Sequence, residues 1–141
     1  MPPMFVSVDR FEADEAHDCE LIWHLHDNPT VMDGRAAHNA FPDGAGLTVA
    51  SSCGGIQILR GVKTPVFQGW LPKFGIGDVE HYPVPTVLNT FRFDKTQRVV
   101  TVLCPYSGGV PLVRSVEASG DVGAEDFTVV LRDGSRITVR E

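Results

Sequence analysis

The sequence lacks both an excess of basic residues and any long apolar run. It has 12 lysines and arginines against 18 aspartates and glutamates, a formal net charge of −6. A surface that binds nucleic acid or an anionic membrane needs a local excess of Lys and Arg, so the composition argues against both partners. No apolar run approaches the roughly 20 residues of a membrane-spanning helix. The N-terminal MPPMF has neither region of a signal peptide, so we expect a soluble protein without one, of unassigned compartment.

Cysteine and tyrosine are scarce, and the motifs of several enzyme classes are missing. Cys19, Cys53 and Cys104 are odd in number and match no zinc or redox spacing, so we expect small buried apolar residues. Tyr82 and Tyr106 are the only tyrosines. There is no Gly-x-Ser-x-Gly elbow of a serine hydrolase and no Gly-rich phosphate loop. No helical period persists over three turns, which favours extended structure.

Glycine and proline, in contrast, are plentiful, with 14 and 10 copies spread along the chain. They separate short apolar or alternating runs, which predicts many short strands joined by turns. With 141 residues, the chain is predicted to form one domain, residues 1–141, that is long enough to bury its own core. The sequence therefore predicts an all-β protein, an antiparallel two-sheet β-sandwich of about ten strands.

The opening segment, residues 4–28, predicts two strands joined by an acidic connection. From Cys19 onward, apolar and polar residues alternate. This period of two places Trp23 on one sheet face and both His24 and His26 on the other. Since two strands are not stable alone in water, the rest of the chain must cover the apolar face.

Three later segments complete the predicted pattern. Residues 64–85 combine four prolines and three glycines with four aromatic side chains, which predicts a long irregular loop that either covers a sheet edge or binds a ligand. Residues 97–104 contain the nearly continuous apolar run VVTVLC, which predicts a central strand covered on both faces. Residues 125–141 predict a hairpin, with Asp133 and Gly134 at its turn.

Three segments, taken in order, carry a family resemblance. In FVSVDRFEADEAHDCELIWHLH, residues 5–26, a strand of the pattern vvvDrf leads into a strand that ends in an aromatic residue, His and Leu. QGWLPKFG, residues 68–75, is similar to a gW.sp.yG loop, and RVVTVLCP, residues 98–105, to a tvl.P strand. Together they resemble the β-sheet region of heparinase II/III-like polysaccharide lyases, over roughly residues 4–106.

The resemblance implies the β-sandwich layers that follow an α/α toroid in these lyases. The family eliminates across the C4–O4 bond of uronic acids, with a Tyr, a His and a neutralising group largely on the toroid. Some members hold a metal in the sheet region through an upstream Asn-His-x-His-x-Asp motif. That motif and a helical toroid are absent from these 141 residues, and the pair His38-Asn39 follows the Trp23-His24-Leu25 strand, the wrong side for the family's His-Asn pair. We therefore expect no catalytic residue here and no lyase activity from the chain alone.

His24 and His26 are the candidate metal ligands. Two residues apart on a predicted strand, their imidazoles should project side by side, as a zinc site requires. Asp27, His38 or His81 are the candidates for a further ligand. The interpretation that we favour is a half-exposed sheet face with neutral histidines, so no cofactor is expected, with zinc as the alternative.

The candidate carbohydrate-binding residues are Trp70, Lys73, Phe74 and Tyr82, all in the predicted irregular loop. Sugar rings stack on flat aromatic side chains, and Lys pairs with carboxylate or sulfate. The alternative, which we favour for Trp70 and Phe74, is that they plug the end of the sandwich.

Two functions of different classes follow from these observations. The first is a non-catalytic β-sandwich related to polysaccharide lyases that contacts carbohydrate or serves as a scaffold. The second is one part of a polysaccharide lyase that is completed by a toroid on a separate chain or in a parent protein. The predicted partners are a polysaccharide or oligosaccharide and a second copy of the chain, because an unpaired edge strand tends to pair with another. The predicted dimer contact is residues 5–8 or the loop around Trp70.

Overall fold

A computed structural model describes residues 2–73 and 80–141, and in these ranges every regular element is a β-strand. The 13 strands are β1 (Phe5–Glu12), β2 (His17–His24), β3 (Thr30–Asp33), β4 (Ala36–Ala40), β5 (Gly46–Ser51), β6 (Gly55–Leu59), β7 (Trp70–Lys73), β8 (Glu80–Pro83), β9 (Thr86–Phe93), β10 (Thr96–Tyr106), β11 (Val113–Ala118), β12 (Asp126–Leu131) and β13 (Arg136–Arg140). Nothing in the described ranges is a helix long and apolar enough to cross a membrane. The predicted all-β fold is confirmed.

The strands form a central sheet with a smaller sheet on each face. The central sheet has the order β1-β10-β5-β4-β3, and every neighbouring pair is antiparallel. Side chains from one of its faces share a buried cluster with the β11-β12-β13 sheet. Side chains from the other face pack against the β2-β9-β6 sheet. The predicted antiparallel sandwich is therefore present, with three layers of sheet where the sequence predicted two.

Strand β10 is covered on both faces, as its continuous apolar run predicted. Val100, Val102 and Cys104 belong to the core shared with β11–β13. Val99 and Leu103, which alternate with them, pack toward the β2-β9-β6 sheet. Successive side chains of a strand point to opposite faces, so one strand contributes to both cores.

The alternation in β2 sets which side of the smaller sheet is apolar. Trp23 is half-buried against the core while His24 is exposed, as predicted, and the strand ends at His24 rather than continuing to His26. The other predicted core residues are buried or packed against the core: Leu25, Val100, Val102, Phe127, Val129 and Leu131.

The segment predicted to be irregular contains the short ribbon of β7 and β8. Val62 and Gln68 pair through N–H···O bonds of 2.9 and 3.0 Å, so the chain turns back on itself before β7 begins. Gly69 follows this turn and lies opposite Gly61 with φ 76°, and a Cβ there would lie only 2.8 Å from the amide nitrogen of Gly61, so no other residue fits without strain. The ribbon was not predicted from the sequence because proline argues against strands, although a two-stranded ribbon has only edge strands, which tolerate proline.

Candidate functional site

The β7–β8 ribbon separates the predicted carbohydrate-binding residues. The cross-strand pairs are Trp70 with Pro83, Leu71 with Tyr82, Pro72 with His81 and Lys73 with Glu80. Directly paired residues share a face, and the faces alternate along each strand. Trp70 therefore lies on one face of the ribbon, while Lys73 and Tyr82 lie on the other. Phe74 lies outside the described residues.

The face that carries Trp70 also gathers three side chains that were not among the predicted carbohydrate-binding residues, one of which, His81, was predicted only as a possible metal ligand. Phe67 stacks on Trp70, with ring centroids 5.4 Å apart and planes 13° apart. His81 meets the Phe67 ring edge-on at 5.5 Å. The Nζ of Lys63 lies 5.7 Å from the Trp70 ring centroid, within range of a cation–π contact. We call these four residues the Trp70 surface.

Within the Trp70 surface, the Trp70 ring lies underneath and the Phe67 ring faces solvent. The indole Nε1 of Trp70 donates to the carbonyl of Val62 at 3.0 Å, which fixes the orientation of the half-buried ring. Gly61 lies against the same ring, since a Cβ there would come within 3.4 Å of it. Phe67, which is 54% exposed, covers the Trp70 ring. Trp70 can therefore have a structural role while the exposed Phe67 above it remains available to a ligand.

Lys63 differs from the neighbouring cations in how its charge is met. Arg60 pairs with Asp27 at 2.7 Å, and Lys73 pairs with Glu80 at 3.3 Å. Among residues 2–73 and 80–141, no carboxylate forms a salt bridge with Lys63, whose ammonium instead faces the Trp70 ring. Of the three cations Arg60, Lys63 and Lys73, Lys63 is therefore the one available to an anionic ligand in the described part of the chain.

His24 and His26 are both exposed, but they do not extend from one continuous strand. His24 closes β2, and His26 lies beyond it, where its Nδ1 accepts a hydrogen bond from the Asn28 amide at 3.0 Å and its ring lies 5.1 Å from that of Phe41. Of the proposed further ligands, Asp27 is paired with Arg60 and His38 is buried inside the sandwich. No group of three His, Cys, Asp or Glu side chains suited to a metal occurs in the described part of the chain. The expectation of no cofactor, with zinc on the two histidines as the alternative, stays untested.

The comparisons with known proteins give a structural relation only. No family model matches the chain, and no curated protein matches its sequence. Among solved structures it is similar to a heparan sulfate lyase HepC mutant from Pedobacter heparinus, with a TM-score of 0.67 and 16% identity, and to HepC itself, with a TM-score of 0.65 and 17% identity. Both alignments cover 98% of this chain and 22% of the lyase chain.

This likeness concerns the fold. The chain spans about a fifth of the length of the lyase, and over that part it shares the arrangement of strands. The resemblance that the sequence suggested is thus supported as a structural relation to a heparan sulfate lyase.

Proposed function

We propose that this protein is a non-catalytic β-sandwich module that contacts an acidic carbohydrate through the Trp70 surface. The observation that carries the proposal is the exposed Phe67 ring, stacked on a fixed Trp70 beside Lys63. A flat, exposed aromatic ring offers a face on which the C–H groups of a sugar can stack.

The rigidity of Phe67 supports this proposal. The ring contacts Trp70 on its face and His81 at 5.5 Å, so its orientation is restricted before any ligand arrives. A side chain that is already ordered loses less conformational entropy on binding than a mobile one. More than half of the Phe67 side-chain surface remains in water, so a ligand that covered the ring would bury apolar area that the fold leaves exposed.

Lys63 suggests the chemical class of the sugar. Its ammonium lies beside the Trp70 ring on which Phe67 stacks, and an ammonium can pair with a carboxylate or sulfate of a ligand bound there. The net charge of −6 opposes acidic polymers at long range, so the attraction must be local to Lys63. We therefore expect binding to weaken as salt screens this pair.

The proposal is tested with the purified chain on a glycan array, followed by titration calorimetry with the best acidic oligosaccharide and a neutral oligosaccharide of equal length. Phe67→Ala should weaken binding of the acidic oligosaccharide roughly fivefold, because such a contact contributes about 1 kcal/mol and 1.4 kcal/mol is tenfold. Lys63→Gln should remove the preference for the acidic over the neutral oligosaccharide.

The matched controls lie elsewhere on the surface. Val110 is 60% exposed and lies outside both the Trp70 surface and the predicted dimer contact, so Val110→Ala removes exposed apolar surface at a different site. Lys95 is an exposed lysine in the β9–β10 turn, so Lys95→Gln removes the same charge. Equal losses in test and control variants contradict the assignment to the Trp70 surface. If no glycan binds the wild-type chain, a scaffolding role replaces the proposal.

A second candidate function is one part of a polysaccharide lyase that acts with a toroid on another chain or in a parent protein. The observation that favours it is the 98% coverage of this chain by 22% of a heparan sulfate lyase. The experiment combines the chain with a toroid encoded next to it and follows the ultraviolet absorbance of the unsaturated uronate product. Product that requires both chains supports this function, and an inactive mixture of two folded proteins argues against it.

A further inference from the structure

A polar contact joins two turns that are distant in sequence. His38 of β4 is 2% exposed, with its Nδ1 2.9 Å from the Thr48 hydroxyl and its Nε2 3.3 Å from Nη2 of Arg132. The same Nη2 donates to the Asp33 carboxylate at 2.5 Å. Arg132 belongs to the β12–β13 turn and Asp33 ends β3. The contact therefore attaches the β12–β13 turn to the far edge of the central sheet.

Donor chemistry determines how His38 is protonated in this contact. A guanidinium only donates hydrogen bonds, so the Nε2 that faces Arg132 must be the unprotonated acceptor. Nδ1 then carries the hydrogen and donates it to Thr48. Adding a proton to Nε2 would place an N–H and a positive charge against the N–H and positive charge of Arg132, at the same 3.3 Å.

We infer that the attachment of the β12–β13 turn depends on pH: neutral His38 holds the turn through Arg132, and protonation of His38 releases it. Burial first, and then the charge of Arg132, hold the pKa of His38 below 6.5, with the Asp33 carboxylate opposing them. These influences favour the neutral, attached form at neutral pH.

The remaining titratable groups nearby do not change this balance. On β10, Cys104 and Tyr106 share the face of His38, and burial raises the pKa of both side chains, so both stay uncharged between pH 5 and 8. Asp133 of the turn is bonded to Ser135, within the turn itself. In the described part of the chain, the charged groups that act on the His38 imidazole are therefore Arg132 and Asp33.

The experiment measures amide hydrogen exchange by NMR, corrected for intrinsic rates. The reporter is the amide of Arg132, which donates to the Leu112 carbonyl at 2.9 Å, and the reference is the Leu25 amide, which donates to the Pro85 carbonyl. Release removes the charge of Arg132 from His38, and an unperturbed histidine has a pKa of about 6.5. Lowering the pH from about 7.5 to about 5.5 should therefore increase opening at Arg132 by up to about tenfold.

Two variants and one control identify the cause. His38→Gln keeps an acceptor for Arg132 without titrating, so its Arg132 protection should not depend on pH. Arg132→Gln should give weak protection of the amide of residue 132 at both pH values. This variant provides the test if His38→Gln does not fold. His17→Gln, which removes an exposed histidine from β2, should behave as the wild type.

Several results would overturn the inference. In the wild type, these are an Arg132 amide protection that does not change with pH, or a loss of protection at the Leu25 amide equal to that at Arg132. In the variants, they are a pH dependence of protection that persists in His38→Gln or Arg132→Gln, or that disappears in His17→Gln. Imidazole ¹⁵N shifts showing a protonated Nε2 on His38 at neutral pH would also overturn it.

Discussion

Replacing Glu141 with alanine is expected to destabilise the protein by about 3 kcal/mol, because it leaves a buried charge without its counter-ion. The Arg98 side chain is fully buried between the central sheet and the β11-β12-β13 sheet. Its Nε donates to Glu141 Oε1 at 3.1 Å, and its Nη2 donates to the same oxygen. Nη1 donates to the Asp126 carbonyl at 3.2 Å. Glu141 also accepts from the exposed Arg10 at 2.5 Å.

The magnitude follows from what remains after the substitution. Breaking a buried ion pair by removing one partner costs about 3–5 kcal/mol. We expect the lower end, because the Asp126 carbonyl still accepts from Arg98 and because Glu141 itself is 24% exposed. Glu141→Gln keeps an acceptor oxygen but loses the charge, so it should cost about 1 kcal/mol, the difference between charged and neutral hydrogen bonds.

The assay is urea unfolding followed by tryptophan fluorescence, and its decisive control is a double variant. Arg98→Met combined with Glu141→Ala removes the buried charge together with its partner, so it should recover at least half of the stability lost in Glu141→Ala. A loss below about 1 kcal/mol in Glu141→Ala would be typical of a surface ion pair and would refute the reasoning. Equal stability of Glu141→Ala and the double variant would refute it as well.

Three further predictions concern pH, assembly and activity. Arg98 first, and then Arg10, lower the pKa of Glu141 below 4.5. The stability that this carboxylate contributes is therefore present above pH 4.5 and is lost as the pH falls through the lowered pKa. Glu141→Gln should reduce this loss of stability in acid, as measured by unfolding curves at a series of pH values. Strand β1 is an edge of the central sheet with Phe5 and Val6 exposed, so light scattering should show a homodimer that Phe5→Lys dissociates; a wild-type mass near 15.4 kDa contradicts this. The chain alone should release no unsaturated product from heparan sulfate or hyaluronan, and catalytic turnover in that assay would contradict the non-catalytic proposal.

Much of the strand pattern could be predicted because side-chain alternation is a local property. The period of two around Trp23 correctly placed its indole toward the core and His24 toward solvent. The apolar run in residues 97–104 predicted a strand covered on both faces, which β10 is. The hairpin near the C-terminus could be predicted from Asp133 and Gly134, which occupy its turn with Gly134 at φ 86°.

The contents of the candidate site depend on contacts that no local pattern encodes. The irregular loop was recognised as a candidate, but its prolines obscured the register of β7 and β8. That register separates Trp70 from Lys73 and Tyr82. Phe67 lies in the turn closed by the backbone bonds between Val62 and Gln68, and its stacking on Trp70 depends on the geometry of that turn, which side-chain alternation does not encode.

The sequence by itself determined the class of the fold, the strands with strong alternation and a resemblance to lyase β-sheet regions. Only the tertiary structure decided that there are three layers and that Lys63 and His81 join Phe67. It also decided that Arg98 pairs with a carboxylate 43 positions away and His38 contacts an arginine 94 positions away. The physical reason is that periodicity records which face of a strand is apolar, whereas the partner across a sheet or between sheets is set by the packing of the whole chain.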